Sequence, residues 1–498
     1  MVKGKVKVLD MKEVILVFPY PKTRYVSLVS RVRIPILDRV PTNQMHYPGP
    51  HLKTLSLRLF TSQVREGKLK PFVFLPPIGE NGESIEETLR EVKGDFTCIL
   101  RDVYPLFLRP RLLVKVLVNI KKHVAPDLKM LVPCVPPCFL PLMAYLEVEL
   151  IDVSYAIVKA EEGVYITFHG EYDVSGLEEL PCNCEACKSG NPKESREDLI
   201  LHNLGVYKVM EKEVNNAVKK GRLRELLEVY ASTSINLMAA VRVLDREYWE
   251  FLDLLTPVTS KTGPICVSDE SFWRPEFVRW YKRLKERYKP PKKQVLFLLP
   301  CSAKKPYSKS KTHRTIKRVI SNALKKMYLQ CIHEVIVTSP LGLVPRELEL
   351  VYPAAHYDVV VTGHWSHEEV SRAVELLIDV YEKGCYERVI ALATERGYEA
   401  VYMEFSRKSG VKVEMARSLK ELEVLIRSVA DEFKPAPEDK TWWIKKVIDF
   451  QFGLGVGELL IPSEARVLRG PGNSLRVLSK NGELIGCLLY TSPSPRDS

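Results

Sequence analysis

The sequence contains few cysteines and no long uninterrupted apolar segment. Its 11 cysteines are spread over 498 residues, a density that is too low for a disulfide scaffold and is typical of a reducing compartment. The longest apolar stretch, residues 131–145, is interrupted by four prolines and is shorter than the roughly 20 residues that a membrane helix needs. Near the start, the apolar residues 14–18 are few and have charged neighbours, unlike a signal peptide. We therefore expect a cytoplasmic protein without a membrane segment.

The rest of the composition is that of a folded chain. Hydrophobic residues make up 46% and charged residues 27% of the sequence, which excludes a disordered chain and a fibre. A length of 498 residues corresponds to about three domains. Lys and Arg (74) outnumber Asp and Glu (62), which gives a formal net charge of +12. Such a surplus favours a polyanionic partner such as nucleic acid, but it does not identify that partner.

The first part of the chain is predicted to alternate strands and helices. Short apolar runs typical of strands occur at 14–17, 26–29, 72–75, 113–118, 131–133 and 165–168, and helices are predicted from 85–91 and over 142–150. This alternation is typical of parallel α/β structure and is compatible with part of a (β/α) barrel. From Arg196 to Lys285 the apolar residues recur at helical spacing.

A second α/β unit is predicted for the residues that follow. Strands at 295–299, 335–337, 359–361 and 389–393 alternate with amphipathic helices, and Ser366 with Glu369 and Ser418 with Glu421 have the spacing of capping boxes. This pattern predicts a doubly wound domain, in which ligands bind beyond the carboxyl ends of the strands. The basic, Pro-containing segment Lys282–Lys293 precedes it. We interpret that segment as a joint between domains, either a solvated linker or a hinge that faces RNA.

One cluster of residues has the spacing of a metal site. Cys182, Cys184 and Cys187 lie on one short turn, and His202 follows in the next predicted helix. Three thiolates and one imidazole can complete a tetrahedral Zn²⁺ site with no open position, so such a metal would be structural. The alternative is three unrelated buried cysteines.

The loop after the strand at 295–299 gathers reactive side chains. It contains Cys301, Lys305, Tyr307, Ser310 and His313. Neighbouring cations favour the thiolate form of a cysteine, which can attack an electrophilic carbon while His313 or Tyr307 transfers protons. The alternative is a basic loop that binds phosphate and contains an incidental cysteine.

Candidate substrate-binding residues lie in the loop after the next predicted strand, residues 339–347, and beyond it. Arg346 can bind a carboxylate through two parallel hydrogen bonds, and Glu347 can bind an ammonium group. Asp358 and His364 follow further along the chain. The alternative is an exposed surface ion pair between Arg346 and Glu347.

Four regions together resemble a known family. The string Pro-Cys-x3-Lys-Pro-Tyr-x2-Ser-x2-His, which runs here from Pro300 to His313, resembles the signature of the archaeosine synthases, archaeal tRNA-modifying paralogues of tRNA-guanine transglycosylase. Residues 150–167 resemble the transglycosylase barrel segment before the zinc turn, and the cysteine turn with residues 201–204 resembles the transglycosylase zinc site. Residues 449–457 resemble the domain that precedes the C-terminal RNA-binding PUA module. The resemblance covers most of residues 70–486.

The resemblance implies an activity, a cofactor and partners. These enzymes act on tRNA that carries 7-cyano-7-deazaguanine in its D-loop, and they add an amine to the nitrile. The donor is lysine, or glutamine in an older scheme. A radical-SAM partner subunit, where present, then cleaves the lysine adduct, and the bound metal is a structural Zn²⁺. A homodimer is an open alternative. The competing hypotheses are a transglycosylase that exchanges guanine, with Asp152 at the position of the nucleophile, and a non-catalytic tRNA-binding subunit.

The predicted architecture is a multidomain α/β chain. Residues 1–230 are expected to form a reduced transglycosylase-like barrel with the zinc turn, because 181 residues before that turn leave little room for a complete barrel. Residues 231–289 form a helical connector, and 290–434 the α/β catalytic domain. Residues 435–486 form a small α+β domain that leads into a truncated PUA module. Residues 487–498 resemble a translated sequencing adapter and are expected to contribute nothing to the fold.

Overall fold

The computed structural model divides the 498-residue chain into two units, Met1–Leu255 and Thr256–Ser498. The described residues are 15–17, 72–74, 97–100, 103–123, 129–148, 150–260, 262–360, 363–435, 442–457, 466–469, 474–478 and 484–489. Each unit has its own hydrophobic core. Within the described ranges, no helix is both long enough and apolar enough to cross a membrane.

Five parallel strands form the sheet of the first unit, in the order β1-β5-β4-β3-β2. They are β1 (Ile15–Val17), β2 (Phe72–Phe74), β3 (Thr97–Ile99), β4 (Lys129–Val132) and β5 (Leu150–Asp152). The strands predicted at 14–17, 72–75 and 131–133 are confirmed. The first strand pairs with the last, with Ile15 opposite Leu150. The run at 26–29 and the helix start at 85–91 lie outside the described residues.

Eight helices are described in the first unit. They are α1 (Pro110–His123), α2 (Leu140–Tyr145), α3 (Ser154–Glu161), α4 (Glu185–Lys188), α5 (Arg196–Lys219), α6 (Leu223–Ala231), α7 (Ile235–Glu247) and α8 (Trp249–Leu255). An antiparallel hairpin of β6 (Val164–Ile166) and β7 (Glu171–Asp173) precedes α4. It confirms the strand predicted at 165–168.

Two predictions in this unit are wrong in element type or extent. The run 113–118, predicted as a strand, lies inside α1. Almost every residue of the run is apolar and most are buried, so periodicity alone cannot distinguish a buried helix from a buried strand. The helix predicted over 142–150 ends at Tyr145, and Leu150 begins β5.

The predicted connector 231–289 does not form a separate element. Helices α7 and α8 contribute to the core of the first unit, whereas α9 (Pro275–Arg287) contributes Phe277 and Trp280 to the core of the second. The basic segment Lys282–Lys293 therefore lies inside the second unit, and both of its prolines, Pro290 and Pro291, are buried.

The second unit contains a five-stranded sheet in the order β11-β10-β9-β13-β14. Its strands are β9 (Val295–Pro300), β10 (Ile332–Thr338), β11 (Gly342–Pro345), β13 (Arg388–Leu392) and β14 (Val413–Ala416). Four of them are parallel, and β11 is antiparallel to β10 at the edge. The strands predicted at 295–299, 335–337 and 389–393 are confirmed, whereas β11 and β14 were not predicted.

Helices pack in two pairs around this sheet. They are α10 (Lys311–Ala323), α11 (His367–Lys383), α12 (Arg396–Ser409) and α13 (Leu419–Val429). Helix α10 packs against α13, and α11 packs against α12. Ser366 and Glu369 form the predicted capping box of α11, and Ser418 caps α13. This arrangement is the predicted doubly wound α/β domain.

The strand predicted at 359–361 is displaced from the main sheet. It is β12 (Asp358–Val359), which pairs with β8 (Ile265–Cys266) in a separate two-stranded sheet. The edge position is instead taken by β11, which folds back on β10 directly after the turn at Ser339–Leu341.

The C-terminal part contains one helix and three antiparallel strands. They are α14 (Trp442–Phe452), β15 (Arg466–Arg469), β16 (Ser474–Leu478) and β17 (Leu484–Leu489). The helix and strands agree with the small α+β domain predicted over 435–486. The last strand includes Cys487, Leu488 and Leu489, so the segment 487–498, expected to lie outside the fold, contributes its first three residues to a strand.

Candidate active site and metal centre

The strand order of the doubly wound sheet reverses at β9, and we call the carboxyl ends of β9 and β13, where ligands of such sheets bind, the crevice of this sheet. The chain passes from β9 to β10 on one side and later reaches β13 on the other side of β9. Loops that leave neighbouring strands in opposite directions open a crevice, and ligands of such sheets bind there. The loop after β9 begins with Cys301, and the loop after β13 leads through Thr394 and Glu395 to Arg396, the first residue of α12.

Cys301 is held at this crevice by Tyr398. The thiol is half-buried, and the Tyr398 hydroxyl donates a hydrogen bond to its Sγ over 3.1 Å. The same hydroxyl accepts the backbone N–H of Cys301 over 3.2 Å. Tyr398 lies in the first turn of α12, and the Trp365 ring packs edge-on against it at 5.3 Å. Two hydrogen bonds to one hydroxyl fix the position of the sulfur at the end of β9.

Lys305 is partly buried, whereas Lys304 and Lys309 of the same loop are exposed. Its Nζ lies 4.0 Å from the centroid of the Tyr357 ring. Burial lowers the pKa of the Lys305 ammonium, and the negative charges of a Cys301 thiolate and of Asp358 act in the opposite direction. A lysine with a lowered pKa exchanges protons more readily near neutral pH than a solvated lysine does.

Tyr307, the aromatic residue of this loop, is fully buried. Its hydroxyl is 2.6 Å from the Tyr357 hydroxyl and 3.3 Å from Thr338 Oγ1. Ser310 is the N-cap of α10, where its Oγ accepts the backbone N–H of His313 over 3.0 Å. Tyr307 and Ser310 therefore hold the conformation of the loop through hydrogen bonds inside the protein.

His313 makes hydrogen bonds through both ring nitrogens. Nε2 lies 3.0 Å from the carbonyl oxygen of Pro300, and Nδ1 lies 2.8 Å from Nη2 of Arg346. Because a guanidinium can only donate, Nδ1 must accept, so the proton is on Nε2. Burial, reinforced by the Arg346 charge, lowers the pKa of His313 to about 3. The structure therefore places a neutral His313 as a brace between Pro300 and Arg346, with no ring nitrogen left to transfer a proton.

Stability should depend on pH because of His313. Its native pKa of about 3 is below the ordinary 6.5, so the stabilisation is complete above about pH 6.5 and is lost as the pH falls toward 3, since only the unfolded chain then takes up the proton. One such group changes the free energy of unfolding by at most about 1.4 kcal/mol per pH unit. Urea denaturation of the wild-type and His313→Gln proteins between pH 7 and 4 gives the free energy of unfolding as a function of pH. This free energy should fall more steeply with decreasing pH in the wild-type protein. Equal slopes would contradict a buried, neutral His313.

Arg346 and Glu347 do not form an exposed pair, and each is bound inside the protein. Arg346 Nε lies 2.6 Å from Glu334 Oε2, and Nη1 lies 2.9 Å from Glu349 Oε2. Glu347 is buried and accepts a hydrogen bond of 2.5 Å from the Tyr288 hydroxyl. The two residues begin a short 3₁₀ turn, residues 346–348, after β11, and their side chains bind different partners.

Asp358 and His364, the other predicted substrate-binding residues, are both exposed. Asp358 lies on β12 and acts on the charge of Lys305. Sequence reasoning missed Tyr398 and the segment Thr394–Arg396. These residues could have been recognised in the sequence, because they directly follow the strand predicted at 389–393 and so lie at the same sheet edge as Cys301.

The four predicted metal ligands come together in the first unit. One ligand atom from each of Cys182, Cys184, Cys187 and His202 lies within 4.8 Å of all the others. His202 Nδ1 is 3.5 Å from the Cys184 sulfur and 3.4 Å from the Cys187 sulfur. A tetrahedral Zn²⁺ with ordinary bond lengths places sulfur and nitrogen ligands about 3.6 Å apart. The residues therefore fit a tetrahedral metal ion.

Neighbouring groups orient these ligands. His202 Nε2 lies 2.8 Å from the carbonyl oxygen of Ile166, which leaves Nδ1 to face the sulfurs. The Tyr165 ring stacks on the imidazole at 3.7 Å, and its hydroxyl is 3.3 Å from the Cys187 sulfur. Such outer contacts hold a metal-binding imidazole in the required tautomer and orientation.

Comparisons with known proteins confirm the resemblance found in the sequence motifs. A family model described as "Domain of unknown function (DUF5591)" matches residues 277–425. The chain is 33% identical over 392 residues to "Archaeosine synthase subunit alpha" of Methanosarcina acetivorans, which covers 74% of this chain and 62% of that protein. It is 34% identical over 347 residues to "Archaeosine synthase" of Haloferax volcanii, which covers 68% of this chain and 58% of that protein.

A more distant relative carries a different name. The chain is 26% identical over 404 residues to "tRNA-guanine(15) transglycosylase" of Methanobrevibacter smithii, with 78% of this chain and 57% of that protein covered. The chain thus spans about three fifths of the length of these relatives.

Proposed function

We propose that this protein is a tRNA-modifying transferase of archaeosine biosynthesis. In this proposal it joins the ε-amine of lysine to the nitrile of 7-cyano-7-deazaguanine in the D-loop of tRNA. The observation that carries the proposal is the half-buried Cys301 thiol at the crevice, bound by Tyr398 and placed in the same loop as Lys305. The similarity to proteins named archaeosine synthase extends over this loop and supports it.

The proposed reaction has two steps at the nitrile carbon. The Cys301 thiolate adds to that carbon while the nitrile nitrogen takes up a proton, which gives a thioimidate. The amine of lysine then attacks the same carbon, and the carbon–sulfur bond breaks. The product is an amidine that carries the lysine, and the thiol is regenerated, so the net reaction is an addition without oxidation or reduction.

Lys305 and Tyr398 have separate roles in this scheme. Lys305, with its lowered pKa, takes the thiol proton and returns it to the nitrile nitrogen. Tyr398 holds the sulfur through its hydroxyl hydrogen bond and stabilises the thiolate. Arg346 and Glu347 are internally bound, so the exposed Glu395 and Arg396 are better candidates for binding the lysine substrate.

Substituting Tyr398→Phe should slow the reaction without unfolding the protein. The ring and its packing on Trp365 remain, and the substitution removes only the hydroxyl that bonds to Cys301. Loss of one hydrogen bond to a charged group corresponds to roughly 1.5–3 kcal/mol, so we expect kcat to fall by roughly 10- to 100-fold. Unchanged kcat would remove Tyr398 from the mechanism.

We assign the first unit to tRNA binding. The strand order, in which β1 pairs with β5, supports a reduced form of a transglycosylase barrel, because the first and last strands of a closed barrel also pair. Zn²⁺ at the four-ligand cluster would brace the turn that carries Cys182, Cys184 and Cys187 against α5. Asp152 is fully buried and accepts the backbone N–H of Ser154 over 2.6 Å, which argues against base exchange by this carboxylate.

The remaining features of the proposal concern partners and the C-terminal part. The name "subunit alpha" of the Methanosarcina relative supports a second subunit, for which a radical-SAM enzyme that cleaves the lysine adduct is the candidate. A homodimer is the alternative assembly. Strands β15–β17 are assigned to the start of a PUA module.

Mass spectrometry of the tRNA tests the reaction directly. A tRNA that carries 7-cyano-7-deazaguanine is incubated with the protein and lysine, and the modified nucleoside should gain the mass of one lysine. If the nucleoside gains mass only when glutamine replaces lysine in the reaction, the nitrogen donor is glutamine. Release of labelled guanine from unmodified tRNA would support a transglycosylase, and no change in either assay would contradict a catalytic function.

A further inference from the structure

The positive charge of this protein is concentrated in one stretch of the second unit. Between Glu286 and Glu334 the sequence contains thirteen Lys and Arg residues and no Asp or Glu. This number exceeds the formal net charge of +12, so the rest of the chain has no positive surplus. The stretch runs from the end of α9 through the Cys301 loop and α10 to the start of β10.

Helix α10 presents a cationic face to solvent. Lys311, Arg314, Lys317 and Arg318 are exposed and, at about 100° per residue, lie within an arc of about 120°. The opposite side of the helix is buried through His313, Ile316 and Ile320. We call the four exposed residues, together with Lys304 and Lys309 in the preceding loop, the α10 cationic face.

Acidic side chains do not neutralise this face. Among the described residues, none brings a carboxylate within ion-pair distance of any of its six cations. Neighbouring helices differ: Arg407 and Lys408 of α12 pair with Glu404, and Arg427 of α13 pairs with Glu423. A folded protein gains nothing from an unneutralised row of cations, since they repel each other, so the row points to an external polyanion.

The α10 cationic face begins next to the loop that carries Cys301. The helix begins at Lys311, right after the loop that carries Cys301, and His313 on its buried side holds the carbonyl of Pro300. Thirteen residues correspond to a helix about 20 Å long, which extends the positive surface away from the thiol. An anionic chain that lies along the helix would therefore pass beside Cys301.

We propose that the α10 cationic face binds the phosphate backbone of the RNA substrate and directs the modified nucleotide to Cys301. The identification of that RNA as tRNA rests on the proposed function. Flexible Lys and Arg side chains without a surrounding pocket suit phosphates, which give affinity without base sequence. A membrane surface fits poorly, because a membrane-binding helix also exposes an apolar face, and the apolar side of α10 is buried.

Charge reversal on the face tests this proposal by binding alone. The probe is an unmodified tRNA transcript, and its affinity for the full chain is measured by fluorescence anisotropy over a series of salt concentrations. The variant Lys317→Glu/Arg318→Glu should bind at least roughly tenfold more weakly at low salt. The slope of log K against log salt should fall by about 0.7–0.9 for each phosphate that the variant no longer neutralises.

A matched variant controls for net charge. Lys408→Glu/Lys412→Glu makes the same change of charge at exposed residues, one in the last turn of α12 and one directly before β14, at the amino edge of the sheet. This control should keep the wild-type affinity and salt slope. Equal weakening of both variants, or wild-type binding by the α10 variant, would overturn the proposal.

Two further readouts separate this inference from the catalytic proposal. With cyano-deazaguanine tRNA and lysine, the α10 variant should raise KM for tRNA and leave kcat unchanged, whereas failure of the catalytic proposal would abolish turnover in all proteins and leave the binding difference intact. If polyglutamate displaces tRNA from the wild-type protein at equal phosphate and carboxylate concentrations, the face recognises acidic protein, and the RNA proposal fails.

Discussion

Substituting Cys301→Ala is expected to abolish formation of the lysine adduct, with a fall in rate of roughly 10³-fold or more. The thiol is the group that bonds to the nitrile carbon in the proposed mechanism, so alanine removes the covalent route completely. The measurement is the rate of mass gain on cyano-deazaguanine tRNA with saturating lysine. Because Cys301 is half-buried and packs at the edge of the core, the fold and the affinity for tRNA should be retained.

The rival mechanism makes the opposite prediction. If the ε-amine of lysine attacks the nitrile directly, the Cys301→Ala protein keeps a near-normal rate, and the covalent mechanism is wrong. Cys385→Ala is a suitable control because this thiol is exposed and precedes β13 at the amino edge of the sheet. The control should have wild-type activity. A covalent adduct between protein and tRNA, trapped without lysine and absent in Cys301→Ala, would support the thioimidate.

Removal of the metal is expected to have the largest effect on stability. The four candidate ligands, Cys182, Cys184, Cys187 and His202, lie on the cysteine turn and on α5, so a bound metal ion would tie these two elements together. Binding of Zn²⁺ to such sites contributes on the order of 10 kcal/mol to folding in small zinc-finger domains. We expect Cys187→Ala or treatment with a strong chelator to lower the Tm of the first unit by roughly 10 °C or more.

Metal analysis gives an independent readout of this prediction. The wild-type protein should contain about one Zn²⁺ per chain, and Cys187→Ala should contain much less. Cys138→Ala is the matched control, since this thiol lies in the same unit but outside the ligand cluster. It should retain its metal. A folded wild-type protein without metal, whose Tm does not respond to zinc, would contradict a structural role.

Features that depend on neighbours in sequence could be predicted. The cysteine turn required only the spacing of Cys182, Cys184 and Cys187, because a metal site of this kind is assembled on one tight turn. The capping residues Ser366 and Ser418 act over three residues. The strand at Val295–Pro300 was evident because an uninterrupted apolar run before a polar loop is typical of a buried parallel strand.

Features that depend on distant contacts could not be predicted in the same way. The run 113–118 is apolar at nearly every position, so only its packing in the first core determined that it is helical. Arg346 was interpreted as a substrate-binding residue, but Glu334 and Glu349 occupy its guanidinium. No local sequence pattern indicated that Glu334 and Glu349 would contact the guanidinium of Arg346.

The sequence by itself determined the family resemblance, the candidate metal ligands, the doubly wound pattern and the concentration of positive charge after Glu286. The tertiary structure alone determined which groups surround the thiol. Tyr398 lies 97 residues from Cys301 and contacts it only because β13 pairs with β9. The same folding buries His313 between Pro300 and Arg346 and leaves the cations of α10 in solvent. Spacing reveals residues that share a turn, whereas the protonation and exposure of a side chain depend on what the rest of the chain packs against it.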